Sequence, residues 1–152
     1  MNITSGSEES ILSTASGMAI RFNETDVRPM GRDAAGVNGI GISEADRVVS
    51  MTIVIDGGAL LTICENGYGK ITEFGAYRTQ RRGGKGLIDI RTTARNGSGV
   101  SARTRSCDRD AMIMTSGGRL VRSLLEDVRP IGRNNTAVRL IRVKSGDKYI
   151  GL

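Results

Sequence analysis

The chain has 152 residues, which is enough for one core of ordinary size or an array of small modules. Its 22 Lys and Arg residues against 16 Asp and Glu residues give a formal net charge of +6, which favours an anionic partner. The sequence has no histidine, and Cys64 and Cys107 form no C-x-x-C pair, which excludes zinc-finger sites and predicts free thiols.

The first ten residues, MNITSGSEES, contain no basic segment followed by an apolar one, so no signal peptide is predicted. Residues 1–10 are polar and are predicted to form a disordered lead-in. The longest apolar run, 48–55, has the length of a strand and falls short of the roughly 18 residues that a membrane span needs. We therefore expect a cytoplasmic protein without a membrane partner.

Short apolar segments separated by turn residues predict strands throughout the chain. In chain order the predicted strands are 11–14, 18–22, 37–42, 48–55, 60–64, 69–72, 87–92, 100–104, 112–115, 120–123, 138–143 and 149–152. The 21 glycines leave no amphipathic helix of convincing length. The pairs SG, NG and GG that end at Gly17, Gly67 and Gly118 predict hairpin turns, because glycine adopts positive φ without penalty.

Three copies of one pattern run through the chain. The segments SGMAIRF, NGYGKIT and GGRLVRS align, and so do RPMGRDAAGVNGI, RTQRRGGKGLIDI and RPIGRNNTAVRLI, all without a gap. The aligned glycines at 17, 67 and 118 give a period of 50 and then 51 residues. The modules are about 11–58, 59–109 and 110–152, with four strands in each. This period is typical of propeller blades, so the predicted fold is all-β, an array of three four-stranded blades.

The second module carries QRRGGKG, residues 80–86, which we call the basic loop. Arginines offer forked donors to phosphate, and glycines let backbone amides approach an oxyanion closely. Cations at matching positions of the flanking modules would extend this loop into a basic rim. The candidate DNA-binding residues are Gln80, Arg81, Arg82, Gly83, Gly84, Lys85, Gly86, Arg78, Lys70, Arg21, Arg32, Arg119, Arg122 and Arg133.

A rim of regularly spaced cations predicts binding to DNA phosphates rather than to bases. Aromatic residues make up only 3% of the chain, which argues against base stacking and favours duplex over single strands. No metal constellation, nucleophile with a base or nucleotide fingerprint is present, so neither an enzyme nor a cofactor is predicted. The alternative function is a protein-interaction propeller whose basic rim meets an acidic protein.

The turn NGYGK, the loop QRRGGKG and the phrases MGRDAAGVNGI and IGRNNTAVRLI resemble the C-terminal domain of DNA gyrase A, with its topoisomerase IV counterpart as a near relative. The similarity runs from about residue 11 to residue 152. QRRGGKG looks like the gyrase-A box, the motif that distinguishes gyrase from its relative. The resemblance implies a β-pinwheel that wraps duplex DNA around a basic rim in the bacterial nucleoid, beside other gyrase subunits, and that cuts nothing.

Two features depart from the pattern of that family. The family domain has about six modules and carries the box in the first, whereas this chain has three modules and carries it in the second. The chain is therefore expected to be either a fragment of a larger protein or a protein that pairs with itself. Two copies would supply six blades and remove exposed sheet edges.

Two substitutions also distinguish the modules. Ile71 stands where the other modules have Arg21 and Arg122, and Lys70 is expected to compensate for the missing charge. Ala137 stands where the other modules have glycine, which would set the third loop further from DNA.

Structural roles stay open for several of these residues. Arg28, Arg78 and Arg129 could pair with acidic neighbours, which are Asp26, Glu73 and Asp127. The arginine shared by all three modules, at 32, 82 and 133, is expected to belong to the design of the blade. The tyrosines are predicted to pack rather than to cleave DNA, and they are Tyr68, Tyr77 and Tyr149.

Overall fold

The computed structural model describes residues 3–105, 110–143 and 146–151, so Cys107 and the last residue of the predicted final strand lie outside the described residues. Nearly all regular structure in the described part is β. The strands are β1 (Glu9–Thr14), β2 (Met18–Asn23), β3 (Val48–Ile53), β4 (Ala59–Cys64), β5 (Tyr68–Glu73), β6 (Leu87–Ile88), β7 (Gly99–Arg105), β8 (Asp110–Thr115), β9 (Leu120–Leu124), β10 (Val138–Arg139) and β11 (Tyr149–Gly151).

Two single turns of 3-10 helix, Glu24–Asp26 and Phe74–Ala76, follow the second strand of the first two modules. Over the described ranges, no helix is long and apolar enough to cross a membrane. β1 begins at Glu9 and so takes in the last two residues of the segment predicted as a lead-in.

The strands form three antiparallel sheets, as the predicted all-β class requires. Their orders are β3-β1-β2-β6, β10-β5-β4-β7 and β11-β8-β9. β6 comes from the second module but pairs with β2 of the first, and β10 comes from the third module but pairs with β5 of the second. Each of the first two blades is therefore completed by the third strand of the following module, and this exchange ties neighbouring modules together.

The prediction of a strand at 37–42 is wrong. The equivalent segments of the later modules pair with the second strand of the module before them, and the described chain has no such strand ahead of the first module. The same reasoning explains the third sheet, which has three strands among the described residues rather than four. The predicted strands 87–92 and 138–143 are shortened to two residues each.

Contacts between successive modules repeat in register. The amide of Gln80 donates to the carbonyl of Arg21 at 2.8 Å, and at equivalent positions the amide of Ile131 donates to the carbonyl of Ile71 at 2.8 Å. The modules are therefore repeats of one interface as well as of one sequence pattern.

The predicted hairpin turns are confirmed. Gly17, Gly67 and Gly118 have φ values of +84°, +78° and +75°, in the left-handed region that favours glycine. A Cβ atom at Gly67 would also lie 2.7 Å from the carbonyl oxygen of Ile141, so this turn is closely approached by the next module.

The two largest hydrophobic clusters lie between neighbouring blades, one between the first and second and the other between the second and third. Every residue of β4, in the middle blade, is buried, because this strand is covered on both faces. β8, in the third blade, alternates instead, with Ile113 fully buried and Met112 and Met114 about half exposed. Burying an aliphatic side chain stabilises the fold by roughly 1.5–3 kcal/mol, so each blade depends on its neighbour for much of its stability.

Candidate nucleic-acid interface

The basic loop is fastened to the first module by its own backbone. The amide of Gly83 donates to the carbonyl of Gly39 at 2.7 Å, and the amide of Gly41 donates to the carbonyl of Gly84 at 2.8 Å. Each of the two segments donates one of these bonds to the other, so the loop is held in a fixed position over residues 38–41.

Arg82 helps to fasten the loop. Its Nε donates to the carbonyl of Asp26 at 2.8 Å, and its guanidinium donates to the carbonyl of Asn38 at 3.1 Å. Arg133 repeats this arrangement one module later, with the carbonyls of Ala76 at 2.6 Å and Ile88 at 3.4 Å. The shared arginine is thus a clasp between modules, as expected for a feature of the blade design.

Two glycines of the basic loop are required by geometry rather than by a ligand. A Cβ atom at Gly86, which has φ of +74°, would lie 2.5 Å from the carbonyl oxygen of Ala19. Gly83 has φ of +81°, and Asn134 occupies the equivalent position with φ of 58°. Asparagine tolerates the left-handed region better than most residues, which explains why it can replace glycine there.

Arg81 and Lys85 are the cations of the loop that remain available. Both are exposed, and neither takes part in an ion pair among the described residues. Between them, the amides of Gly84 and Lys85 donate no hydrogen bond within the described chain. Gln80 is half-buried, and its side-chain nitrogen is enclosed without a partner among those residues. The loop therefore presents two cations and two free amides on a fixed base.

Arg21 and Arg122 have structural partners. Arg21 bonds to Glu9 and donates to the carbonyl of Phe74 at 3.0 Å, while Arg122 bonds to Asp110. The Arg21 side chain is 18% exposed and that of Arg122 is 68% exposed. Arg21 therefore serves mainly the fold, whereas Arg122 keeps a surface that an anion could reach.

In the middle module, both members of the arginine–carboxylate pair are replaced by apolar residues. Ile71 and Ala59 stand where the flanking modules place the arginine and its carboxylate, and both are buried in the core between the second and third blades. The two substitutions belong together, because either charge alone would be buried without its partner.

The prediction that Lys70 contacts DNA and substitutes for the missing arginine is wrong. Its side chain is fully buried, with Nζ 3.1 Å from the carboxylate of Asp89. Nζ also donates to the hydroxyl of Thr72 at 2.9 Å and to the carbonyl of Gly132 at 3.2 Å. An ammonium group enclosed in this way cannot reach a phosphate outside.

Asp89 collects three donors in this buried network. Besides Lys70, the hydroxyl of Tyr77 donates to it at 2.6 Å and the hydroxyl of Thr62 at 2.6 Å. Burial raises the pKa of Tyr77 and lowers the pKa of Lys70, since both charged forms lose hydration. Asp89 follows the basic loop closely in sequence, so the network ties the end of this loop to the interior of the second blade.

The flanking modules fill the same place with apolar side chains. In the first module the equivalent positions hold Leu12, Ile20 and Val27, which pack in one cluster. In the third module they hold the buried Ile113 and the partly buried Val121, Val128 and Leu140. The polar network is therefore particular to the module that carries the basic loop.

The remaining predicted cations lie at the surface. Arg32, Arg78 and Arg119 are exposed. Arg28 and Arg129 are exposed too, and the ion pairs suggested for them, with Asp26 and Asp127, are not among those that the described residues form. Ala137 is buried beside Tyr68 and Ile90, so its methyl group packs inside the blade.

The tyrosines pack, as predicted. Tyr77 and Tyr149 are each 1% exposed and Tyr68 is 8% exposed. Tyr68 is covered by two arginines that the sequence analysis missed, with the guanidinium carbons of Arg95 and Arg139 at 5.0 and 5.2 Å from its ring centre. The sequence carries no signal for this pair, because the two arginines come from different modules and only the fold brings them to one ring.

Two further residues were missed although the repeat contains them. Asp46 and Asp147 are equivalent positions whose carboxylates accept bonds from the amides of the hairpin turns, from Ser16 at 2.9 Å and from Gly117 at 2.6 Å. Extending the alignment past the third strand would have found this pair. Within the described residues, no three His, Cys, Asp or Glu side chains converge into a candidate metal site.

The fold class follows from these sheets and is shared with solved structures. The chain superposes on a solved structure of a DNA gyrase A C-terminal domain with a TM-score of 0.88 and 26% identity, covering 95% of this chain and 50% of that one. It also superposes on the C-terminal domain of DNA topoisomerase IV with a TM-score of 0.89 and 22% identity, over 99% of this chain and 47% of that one. The predicted β-pinwheel is thereby confirmed.

The chain belongs to the DNA gyrase C-terminal domain family, a β-propeller family whose model matches residues 11–55, 59–94 and 109–152. It is 43% identical to DNA gyrase A of Salmonella typhimurium and 40% identical to that of Haloquadratum walsbyi, over 100% and 97% of this chain. It spans 17% of the length of each of these relatives. The part that matches is a non-catalytic module of the gyrase A protein, as predicted.

Proposed function

We propose that the chain binds duplex DNA by its phosphates and holds it in a bend along the basic rim, so that a gyrase-type enzyme can change DNA topology. The observation that carries this proposal is the exposure of Arg81 and Lys85 on a loop whose base is fixed to the first module. A fixed loop offers its cations without the entropic cost of ordering a flexible one. The bacterial nucleoid is then the expected place of action, beside other gyrase subunits.

The chemistry of the loop suits phosphate. Arg81 offers a planar fork of donors, Lys85 offers a compact charge, and the free amides of Gly84 and Lys85 lie between them. Arg82 is kept as the clasp expected of the shared arginine rather than as a phosphate contact, because two backbone carbonyls already engage its guanidinium. The phosphate contacts are thus assigned to Arg81 and Lys85, with Arg82 as the residue that positions them.

Bending requires several blades to act together. Smooth bending of a DNA site costs on the order of 1–6 kcal/mol of free energy. Contacts beyond those of two cations are therefore needed to offset this cost. Exposed cations at other positions of the repeat, Arg78 and Arg119, are the proposed additional contacts. Because these contacts reach phosphates, binding should be independent of base sequence.

The test is the salt dependence of binding to two duplexes of unrelated sequence, measured by fluorescence anisotropy. Each phosphate contact contributes about 0.9 to the slope of log affinity against log salt, so Arg81→Ala/Lys85→Ala should reduce the slope by roughly 2. Affinity should fall by the same factor on both duplexes.

Lys148→Ala is the matched control, since Lys148 is an exposed cation engaged by Glu65 at 3.1 Å. It should leave the slope within error of the unsubstituted chain. Absence of duplex binding at low salt would reject the proposal and favour the protein-interaction propeller. Unchanged binding by the double variant would show that the basic loop is a solvated surface loop.

A further inference from the structure

The first and third modules carry the two halves of the interface that joins successive modules. In each existing junction, the following module supplies an arginine clasp and most of the backbone amides that donate across the contact. The preceding module supplies the carbonyls that accept these bonds. Within the described chain, the first module has donors without a preceding module, and the third has acceptors without a following one.

The donor half lies on residues 30–40. Arg32 is the equivalent of the two clasps, and it is exposed with no bonded partner among the described residues. The amides of Gly39 and Ile40 are equivalent to those of Asp89 and Ile90, which donate to the carbonyl of Gly17 at 2.9 and 3.2 Å. Within the described chain, the amides of Gly39 and Ile40 donate no hydrogen bond.

The acceptor half lies beside β9, the open edge of the third sheet. By equivalence with the existing junctions, Arg32 of a following module would donate to the carbonyls of Asp127 and Arg139. The amides of Gly39 and Ile40 of that module would donate to the carbonyl of Gly118. Over the described ranges, the carbonyls of Asp127 and Gly118 accept no hydrogen bond. This edge borders a groove of about 620 Å³.

Gly118 shows that the edge has room for an occupant. A Cβ atom at Gly67 would lie 2.7 Å from the carbonyl of Ile141 in the next module, whereas a Cβ at Gly118 would meet nothing within 4 Å. The edge strand also exposes two leucines, Leu120 at 58% and Leu124 at 48%, and Val138 beside the groove is 47% exposed. An open strand edge lined by apolar side chains is a surface that proteins normally cover.

We propose that residues 30–40 of a second copy of this chain complete the third blade, and that the same contact in reverse closes a two-fold ring of six blades. Val37 of one copy would lie opposite Leu120 of the other, as Leu87 lies opposite Ala19 and Val138 opposite Gly69. This pairing supplies both the strand that 37–42 fails to form and the strand that the third sheet lacks among the described residues.

The length of a solved relative supports a second copy as the occupant. The superposition covers 95% of this chain but only 50% of the solved gyrase A C-terminal domain, so two copies match that domain in size. A head-to-tail contact between identical chains closes when its rotation completes a ring, which avoids open-ended assembly.

The test is the mass of the chain in solution, measured by light scattering on a sizing column over a concentration series. The proposal predicts a species of twice 16.2 kDa that dissociates on dilution. A mass of one chain throughout would overturn it. A continuous series of larger species would overturn the closed ring.

A substitution at the edge separates this interface from any other. Gly118→Asn keeps a residue that tolerates positive φ, as Asn134 does at 58°, but adds side-chain atoms where the carbonyl of Ile40 would approach. It should halve the mass while leaving the circular dichroism spectrum unchanged. Gly57→Asn is the control, because Gly57 has φ of +69° and open space but lies in the turn between β3 and β4.

The control should remain a dimer, and Arg32→Ala should weaken the dimer by removing the clasp. If Gly118→Asn remained dimeric, the two chains would associate through a different surface and the assignment would be wrong. DNA binding is not needed for this result, so it is independent of the proposed function.

Discussion

At the scale of single residues, formal charge is a poor guide to which cations face solvent. Lys70 and Arg21 look like members of a basic rim in the sequence, but one is fully buried and the other is 18% exposed. Their partners, Asp89 and Glu9, lie far along the chain or on a neighbouring strand. Such pairing could not be read from the repeat, because the middle module changes both members of each pair.

The buried network of the middle module should be strongly coupled. Asp89→Leu leaves the Lys70 ammonium buried without its partner, which should lower the free energy of unfolding by about 3–5 kcal/mol. Lys70→Val/Asp89→Leu, which copies Val121 and Leu140 of the third module, should recover more than half of that loss. Urea denaturation of the single and double variants measures both effects.

The third member of this cycle is Lys70→Val, which leaves the carboxylate of Asp89 with only its two hydroxyl donors. It should be destabilised as well, so that the two single losses add to more than the loss in the double variant. Additive losses would mean that the ion pair contributes no coupling and that the account of this network is incorrect.

Acid stability should depend on the carboxylates beneath the hairpin turns. The hydroxyl of Ser116 and the amide of Gly117 bond to Asp147 and lower its pKa from 3.8 to about 2. Burial alone would raise the pKa of Asp46, but bonds from Thr14 and Ser16 outweigh it and lower the pKa. Their stabilisation is therefore complete above the pKa of the unfolded state and is lost as pH falls toward the folded value.

Asp46→Asn/Asp147→Asn should accordingly melt at a lower temperature than the unsubstituted chain at neutral pH. The difference should narrow as the pH is taken from 3.8 down to about 2, because the native carboxylates then become protonated too. Thermal melting followed by circular dichroism at several pH values provides the measurement. A difference that stayed constant over this range would contradict the role of the charged form.

At the scale of elements, the hairpin turns were predictable and the exchange of strands was not. Gly17, Gly67 and Gly118 are marked by local chemistry that needs no knowledge of the rest of the chain. The two-residue strand β6 pairs with a strand of the preceding module, and no local sequence signal specifies this pairing. The wrong strand at 37–42 has the same origin, since the described chain has no preceding module with which this segment could pair.

The two neighbouring arginines of the basic loop should behave differently. Arg82→Ala removes a charged donor from two backbone carbonyls and should lower the free energy of unfolding by roughly 1–3 kcal/mol. Arg81→Ala removes an exposed side chain and should change it by no more than about 0.5 kcal/mol. Urea denaturation of the two variants makes the comparison within one loop.

In DNA binding the two variants should differ in the opposite sense, with the larger change of salt slope in the Arg81→Ala variant. Arg81→Ala should reduce the salt slope by about 1 while stability is kept. Equal losses of stability in the two variants would contradict the assignment of Arg82 as the clasp.

At the scale of the whole molecule, the sequence predicted the modules, their number and the fold class, because the repeat is expressed in every module. It could not predict that the interface between modules repeats bond by bond, from Gln80 with Arg21 to Ile131 with Ile71. This register fixes the spacing between blades and hence between the exposed cations. The bent path proposed for DNA along the rim rests on this repeated register rather than on any single residue.

The most direct measurement of this central claim is the linking number of DNA closed in the presence of the chain. Nicked circular plasmid is ligated with saturating protein, the protein is removed, and the topoisomers are resolved on a gel. The account predicts a distribution displaced from that of plasmid ligated alone, and a smaller displacement with Arg81→Ala/Lys85→Ala. An unchanged distribution, under conditions where anisotropy shows the plasmid to be saturated, would contradict it.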